Sequence, residues 1–176
     1  HSIRSCVINS GNANAATGEQ GIRDALEFRG AVAERLGLEA ETVAVAETGV
    51  IGVPLDMDRI RSGFDGLVEN LATDGGVEFC KAIMTTDTRP KRAAVAVELP
   101  GGRVTIGGMA KGAGMLAPGL ATMLVVLTTD AEVRPEVLQR SLREACAVTF
   151  DRADSDGCMS TNDTVTLLAS GASGIS

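Results

Sequence analysis

The spacing of apolar residues changes several times along this chain, and each change marks an element. Ile3 to Ile8 is a short apolar run that predicts a strand. It gives way to Asn9-Ser10-Gly11-Asn12-Ala13-Asn14-Ala15-Ala16-Thr17-Gly18, whose small, turn-forming residues predict a loop. Ile22, Leu26, Val32, Ala33 and Leu36 then recur largely at helical spacing, with Gly37 suited to end the helix. Val43 to Ala46 reads as a buried strand running into Glu47-Thr48-Gly49-Val50-Ile51-Gly52. Asp56 is placed to cap a second helix with Ile60, Phe64, Leu67, Val68 and Leu71 on one face, and Gly76 to Met84 reads as a third helix.

Beyond this point the period drops to two. Ala94, Ala96 and Glu98 alternate with Val95, Val97 and Leu99, and Pro100-Gly101-Gly102 turns the chain into Val104-Thr105-Ile106, the pattern of a hairpin. Thr122 to Leu127 is apolar and β-branched, as in a buried strand. Pro135 suits a helix start, with Val137, Leu138, Leu142, Ala145 and Cys146 on one face, and Thr164 to Ala169 is a last strand. No linker, low-complexity stretch or repeat interrupts the order, so residues 1–176 are expected to form a single, partial α/β domain.

Composition narrows the functions open to such a domain. A chain of 176 residues with 44% hydrophobic and 22% charged content can bury one substantial core. A net charge of −7, four Phe and neither Trp nor Tyr argue against a nucleic-acid partner. Cys6, Cys80, Cys146 and Cys158 form no C-x-x-C pair, so buried thiols are expected rather than a metal site or a disulfide framework. No apolar run approaches the roughly 18 residues of a membrane span, and no charged-then-apolar leader opens the chain. A cytoplasmic setting without membrane partners is expected. The start at His1 and the stop just after an apolar run point to a fragment at both ends.

The candidate chemistry centres on Thr122. It follows a small residue, Ala121, between a glycine-rich loop bearing Lys111 and an apolar stretch. Because His1 is the only histidine, a Ser-His-Asp or Cys-His site is improbable here, and a lysine, a carboxylate or an α-amine would have to activate a hydroxyl. Cleavage of the Ala121–Thr122 bond would supply such a base, an α-amine of pKa roughly 7.7–8.0 beside the hydroxyl it must deprotonate. The same hydroxyl could make the cut by attacking the Ala121 carbonyl. An ordinary buried strand beginning at Thr122 explains the pattern equally well, and the two readings are compatible.

Asn9-Ser10-Gly11-Asn12-Ala13-Asn14-Ala15, Thr48-Gly49-Val50-Ile51-Gly52, Ile83-Met84-Thr85-Thr86-Asp87-Thr88, the run from Gly107 to Leu124, and Ser160-Thr161-Asn162-Asp163-Thr164 are each short. In this order they are specific: over nearly the whole chain the sequence resembles the ornithine acetyltransferase family, also called glutamate N-acetyltransferases, self-cleaving acyltransferases of arginine biosynthesis. The resemblance implies a four-layer α/β fold of mixed sheets with helices outside. It also implies autocleavage between Ala121 and Thr122, and ping-pong transfer of an acetyl group from N-acetylornithine through Thr122 to glutamate. No cofactor is implied, although acetyl-CoA serves some members as donor. Assembly is expected as a heterotetramer, two cleaved chains each in pairs.

The resemblance also assigns roles. Thr48 and Gly49 match the oxyanion-hole pair, where a hydroxyl and a closely approaching backbone N–H suit a tetrahedral intermediate. Lys111, eleven positions before Thr122, matches a substrate-contacting lysine whose ammonium suits a carboxylate, and Thr85 matches a substrate-binding threonine. Without the resemblance these would read as a strand-ending turn, an exposed loop lysine and a turn-capping hydroxyl. Glu47 departs from the pattern, standing where the family usually has serine. A glutamate, an asparagine and a threonine that complete the family's pocket are expected beyond Ser176.

Other motifs lead elsewhere or nowhere. The Gly107–Gly114 run lacks the Ser or Thr after lysine that a phosphate loop needs. Asp154-Ser155-Asp156-Gly157 has Arg152 at the first position of a calcium loop and Asp163 at the twelfth, so it reads as a turn. The alternative functions are a related N-terminal-nucleophile aminopeptidase or amidase, with water as acceptor, and a non-catalytic ligand-binding fragment.

Overall fold

The computed structural model describes residues 3–176, so His1, the only histidine, lies outside the described residues. The chain divides into two compact units, His1–Thr85 and Thr86–Ser176. The boundary falls within Thr85-Thr86-Asp87-Thr88, which has no Gly, Pro or charge run to announce it. Each unit combines helices with sheet.

In the first unit, β1 (Ser5–Asn12) pairs in parallel with β2 (Val43–Val50), from Ser5 opposite Val43 to Asn12 opposite Val50. The strand therefore continues through Asn9–Asn12, where a loop was expected. The ladder to Glu47–Val50 satisfies those backbone groups and overrides their turn preference. The crossover between the strands is α1 (Gly18–Leu36), closed by Gly37, and a 3₁₀ turn at Ala40–Thr42.

Helix α1 buries Gly21, Asp24, Phe28, Val32 and Ala33, whereas the expected core positions Ile22 and Leu26 are exposed. The stripe through residues 24, 28 and 32 is the one that meets the core, and Ile22 and Leu26 lie beside it. Helix α2 (Met57–Glu69) starts where Asp56 accepts the Arg59 N–H at 3.1 Å; it buries Phe64, leaves Leu67 exposed, and ends before Leu71, which was expected on its face and is exposed. Phe64 stacks on Phe28 with centroids 5.7 Å apart, an arrangement worth about 0.5–1.5 kcal/mol beyond the area it buries. Val7, Phe28, Val32, Ala33, Val43 and Phe64 form the core, and α3 (Gly76–Ala82) completes the unit.

The second unit is built on a four-stranded mixed sheet in chain order: β3 (Lys91–Leu99), β4 (Gly102–Lys111), β5 (Leu124–Thr129) and β6 (Thr164–Ala169). The first three are antiparallel neighbours and the last is parallel to β5, reached through α4 (Pro135–Val148) and a 3₁₀ turn at Phe150–Arg152. The hairpin turns at Pro100–Gly101, as its residues predict, although β3 is exposed along nearly its whole length. Leu124, Val125 and Val126 are buried, so the apolar run does form a strand, but it begins at Leu124 and leaves Thr122 in the preceding loop. Cys80 and Cys146 are buried as expected, whereas Cys158 is exposed. No helix among the described residues is long and apolar enough to cross a membrane.

Candidate functional site

The second unit carries the nucleophile candidate. The loop 112–123 leaves β4 at Lys111 and enters β5 at Leu124, and these two residues face each other across the ladder. The base of the loop is therefore narrow. Gly112 has φ 147°, and a Cβ there would stand 3.1 Å from the Thr122 carbonyl oxygen, so a side chain at 112 would press on the Thr122 backbone. The Thr122 N–H donates to the Met115 carbonyl at 2.7 Å, and the Ala121 N–H donates to Asp163 Oδ2 at 2.9 Å. Ala121 is almost wholly buried. The Thr122 Oγ1 is buried with no hydrogen-bond partner among the described residues. Leaving a buried hydroxyl unsatisfied costs free energy, of the order of 1–3 kcal/mol, and such groups in a folded protein call for a reason.

Lys111 is among the most deeply buried side chains, 2% exposed, which corrects the reading of an exposed loop lysine. Burial pushes its ammonium below the usual lysine range; the nearby Asp87 works against that shift and Lys91 adds to it. The Asp87 side chain is wholly buried, pairs with the Lys91 ammonium, and accepts the Gly112 N–H at 2.8 Å. One carboxylate thus ties the start of the 112–123 loop to a cluster of two cations.

Thr48 and Gly49 lie in the first unit. Thr48 is fully buried on β2, and Gly49, at φ 137°, faces Gly11 on β1. A Cβ on Gly49 would fall 2.2 Å from the Gly11 carbonyl carbon, so only glycine fits the close approach of the two strands. Beside them Glu47 is 6% exposed and receives the Asn14 Nδ2 at 3.5 Å. Burial raises its carboxyl to about 7, the Asn14 contact lowers it, and the buried Asp24 adds to the rise. Thr85 ends the first unit and is exposed in the bend after α3.

A family model described as the ArgJ family matches residues 1–176. The chain belongs to the ArgJ family. It is 56% identical over 171 residues to the arginine biosynthesis bifunctional protein ArgJ of Streptomyces avermitilis, covering 97% of this chain and 44% of that protein. The protein of the same name from Symbiobacterium thermophilum is 52% identical over 172 residues, covering 98% and 43%. This chain thus spans less than half the length of these curated ArgJ relatives. Among solved structures, arginine biosynthesis bifunctional protein ArgJ from Bacillus halodurans aligns with a TM-score of 0.59 at 40% identity, over 68% of this chain and 61% of that one. The ornithine acetyltransferase of Mycobacterium tuberculosis, solved with ornithine, also aligns at 0.59, with 44% identity over 66% and 62%.

In this ArgJ-family chain the second unit brings Lys111, Ala121 and Thr122 together around one loop. Sequence reasoning left out the carboxylates that hold that loop, Asp87, Asp156 and Asp163. Asp87 and Asp156 read as turn residues and Asp163 only as part of the Ser160–Thr164 segment, because the backbone N–H groups they hold across the loop are distant in the chain. Only their places within or near the Thr-Thr-Asp-Thr and Ser-Thr-Asn-Asp-Thr segments marked them.

Proposed function

We propose that this chain is part of an ornithine acetyltransferase, a glutamate N-acetyltransferase of arginine biosynthesis, working through an acetyl ester on Thr122. The observation that carries the reading is the buried, unpartnered Thr122 hydroxyl on a loop fixed beside Lys111 in an ArgJ-family chain. Self-cleavage at Ala121–Thr122 frees the Thr122 α-amine, which takes the hydroxyl proton as Oγ1 attacks the acetyl carbonyl of N-acetylornithine. The amide C–N bond breaks, the proton passes to the departing α-amine of ornithine, and the acetyl group stays on Oγ1. Glutamate then attacks the ester through its own α-amine, the ester C–O bond breaks, and the hydroxyl regains a proton.

Thr48 and Gly49 act in this scheme as donors to the oxyanion of both tetrahedral intermediates. Lys111 takes a carboxylate of acetylornithine or glutamate. A bound carboxylate would favour the charged ammonium that burial disfavours, so substrate and lysine stabilise each other. Thr85 adds a hydroxyl to the substrate site. The small-molecule substrates need no cofactor or metal, and acetyl-CoA is an alternative donor. The assembled enzyme is a heterotetramer of two cleaved chains each in pairs, acting in the cytoplasm.

Incubating the full-length protein with N-acetylornithine and glutamate should yield N-acetylglutamate and ornithine. Thr122→Ala should abolish both cleavage and product. Acetate released at the same rate with or without glutamate would overturn the transferase reading in favour of a hydrolase.

A further inference from the structure

The turn Asp154-Ser155-Asp156-Gly157 and the chain that follows it grip the loop carrying the Ala121–Thr122 bond. The Ser155 N–H donates to the Leu116 carbonyl at 3.1 Å, the Ser160 N–H to the Leu120 carbonyl at 2.9 Å, and the Thr164 N–H to the Met123 carbonyl at 2.9 Å. Two carboxylates hold the loop from its donor side. Asp156 Oδ2 accepts the Met115 N–H and Asp163 Oδ2 accepts the Ala121 N–H, each at 2.9 Å. Met115 has φ 55°, a conformation costly for a side chain of its size, and its carbonyl in turn receives the Thr122 N–H at 2.7 Å.

The peptide planes on both sides of Ala121 are therefore anchored, one to Asp163 and one to Met115. That fixes the direction of the Ala121 carbonyl. Asp163 Oδ1 is buried without a hydrogen-bond partner among the described residues, as is the Thr122 hydroxyl. A part-buried carboxylate with one oxygen buried and unpaired is a poor way to stabilise a loop that backbone bonds already hold, so its presence calls for another reason.

We propose that Asp163 is a positioning residue for self-cleavage, holding Ala121 so that its carbonyl is presented to the Thr122 hydroxyl, with Asp156 supporting Met115 as the second anchor. This rests on the reading of Thr122 given above. In the step it serves, Oγ1 bonds to the Ala121 carbonyl carbon, the C–N bond breaks, and the hydroxyl proton ends on the departing amine. Water then hydrolyses the ester, leaving Ala121 as a carboxylate and restoring the hydroxyl.

The test follows conversion of freshly translated full-length protein into two chains over time, by denaturing mass spectrometry. Asp163→Ala should slow conversion about 100-fold, the scale of losing a fixed reactive geometry. Asp163→Asn keeps an oxygen that can accept the Ala121 N–H and should recover most of the rate. Asp156→Ala, on an exposed turn, should slow conversion about 10-fold. An Asp163→Ala or Asp156→Ala protein that converts within about twofold of the wild-type rate would overturn the proposal. So would Asp163→Asn as slow as Asp163→Ala, since charge and not the hold would then be the operative property. A wild-type protein that never converts would instead overturn the reading of Thr122 itself.

Discussion

Two acidic residues show how position decides what a side chain does. Glu47 keeps its proton to about pH 7 in the folded chain, against an ordinary value of 4.5. Between these values the folded state binds the extra proton, so this residue's contribution to stability is complete below the lower value, declines as pH rises, and is gone above the upper one. Glu47→Gln should flatten that decline. Denaturant unfolding at about pH 5 and about pH 8 should show wild type losing stability relative to the variant, and parallel losses would contradict the assignment. Asp87 differs in its surroundings: its buried side chain pairs with the Lys91 ammonium and accepts the Gly112 N–H. Asp87→Asn should destabilise the chain by about 2–3 kcal/mol, less than a fully buried pair because the Lys91 side chain is 41% exposed, as urea unfolding would measure.

At the scale of elements, the strands at the candidate site depend on contacts distant in sequence. Glycines 11 and 49 face each other across β1 and β2, and Gly49→Ala should cost about 3 kcal/mol or prevent folding, since a methyl group has backbone where it would go. Thermal unfolding would show this, and an unchanged midpoint would mean that the strands are not so closely apposed. The alternating hairpin, the buried run of β5, the Asp56 cap and the helix start at Pro135 were legible because each is a local signal. The extension of β1 through Asn9–Asn12 was not, because its cause is the partner strand 38 residues away in register. Nor was the buried face of α1, since Ile22 and Leu26 compete with Phe28 and Val32 on periodicity alone and only packing chooses between them.

For the whole molecule, the same limit explains which parts of the candidate site could be read in advance. Thr122, Lys111, Thr48 and Gly49 stand in segments whose order resembles a family, and family membership follows from a match over residues 1–176. The loop's anchors, Asp87, Asp156 and Asp163, act through backbone groups 25, 41 and 42 positions away, a relation no local motif encodes. The central claim, that Thr122 carries the acetyl group, is tested most directly by denaturing mass spectrometry of the full-length protein after brief exposure to N-acetylornithine without glutamate. The account predicts two chains, with the one that begins at Thr122 heavier by a single acetyl group that disappears when glutamate is added. An uncleaved chain that turns over substrate, or an acetyl group on any residue other than Thr122, would contradict it.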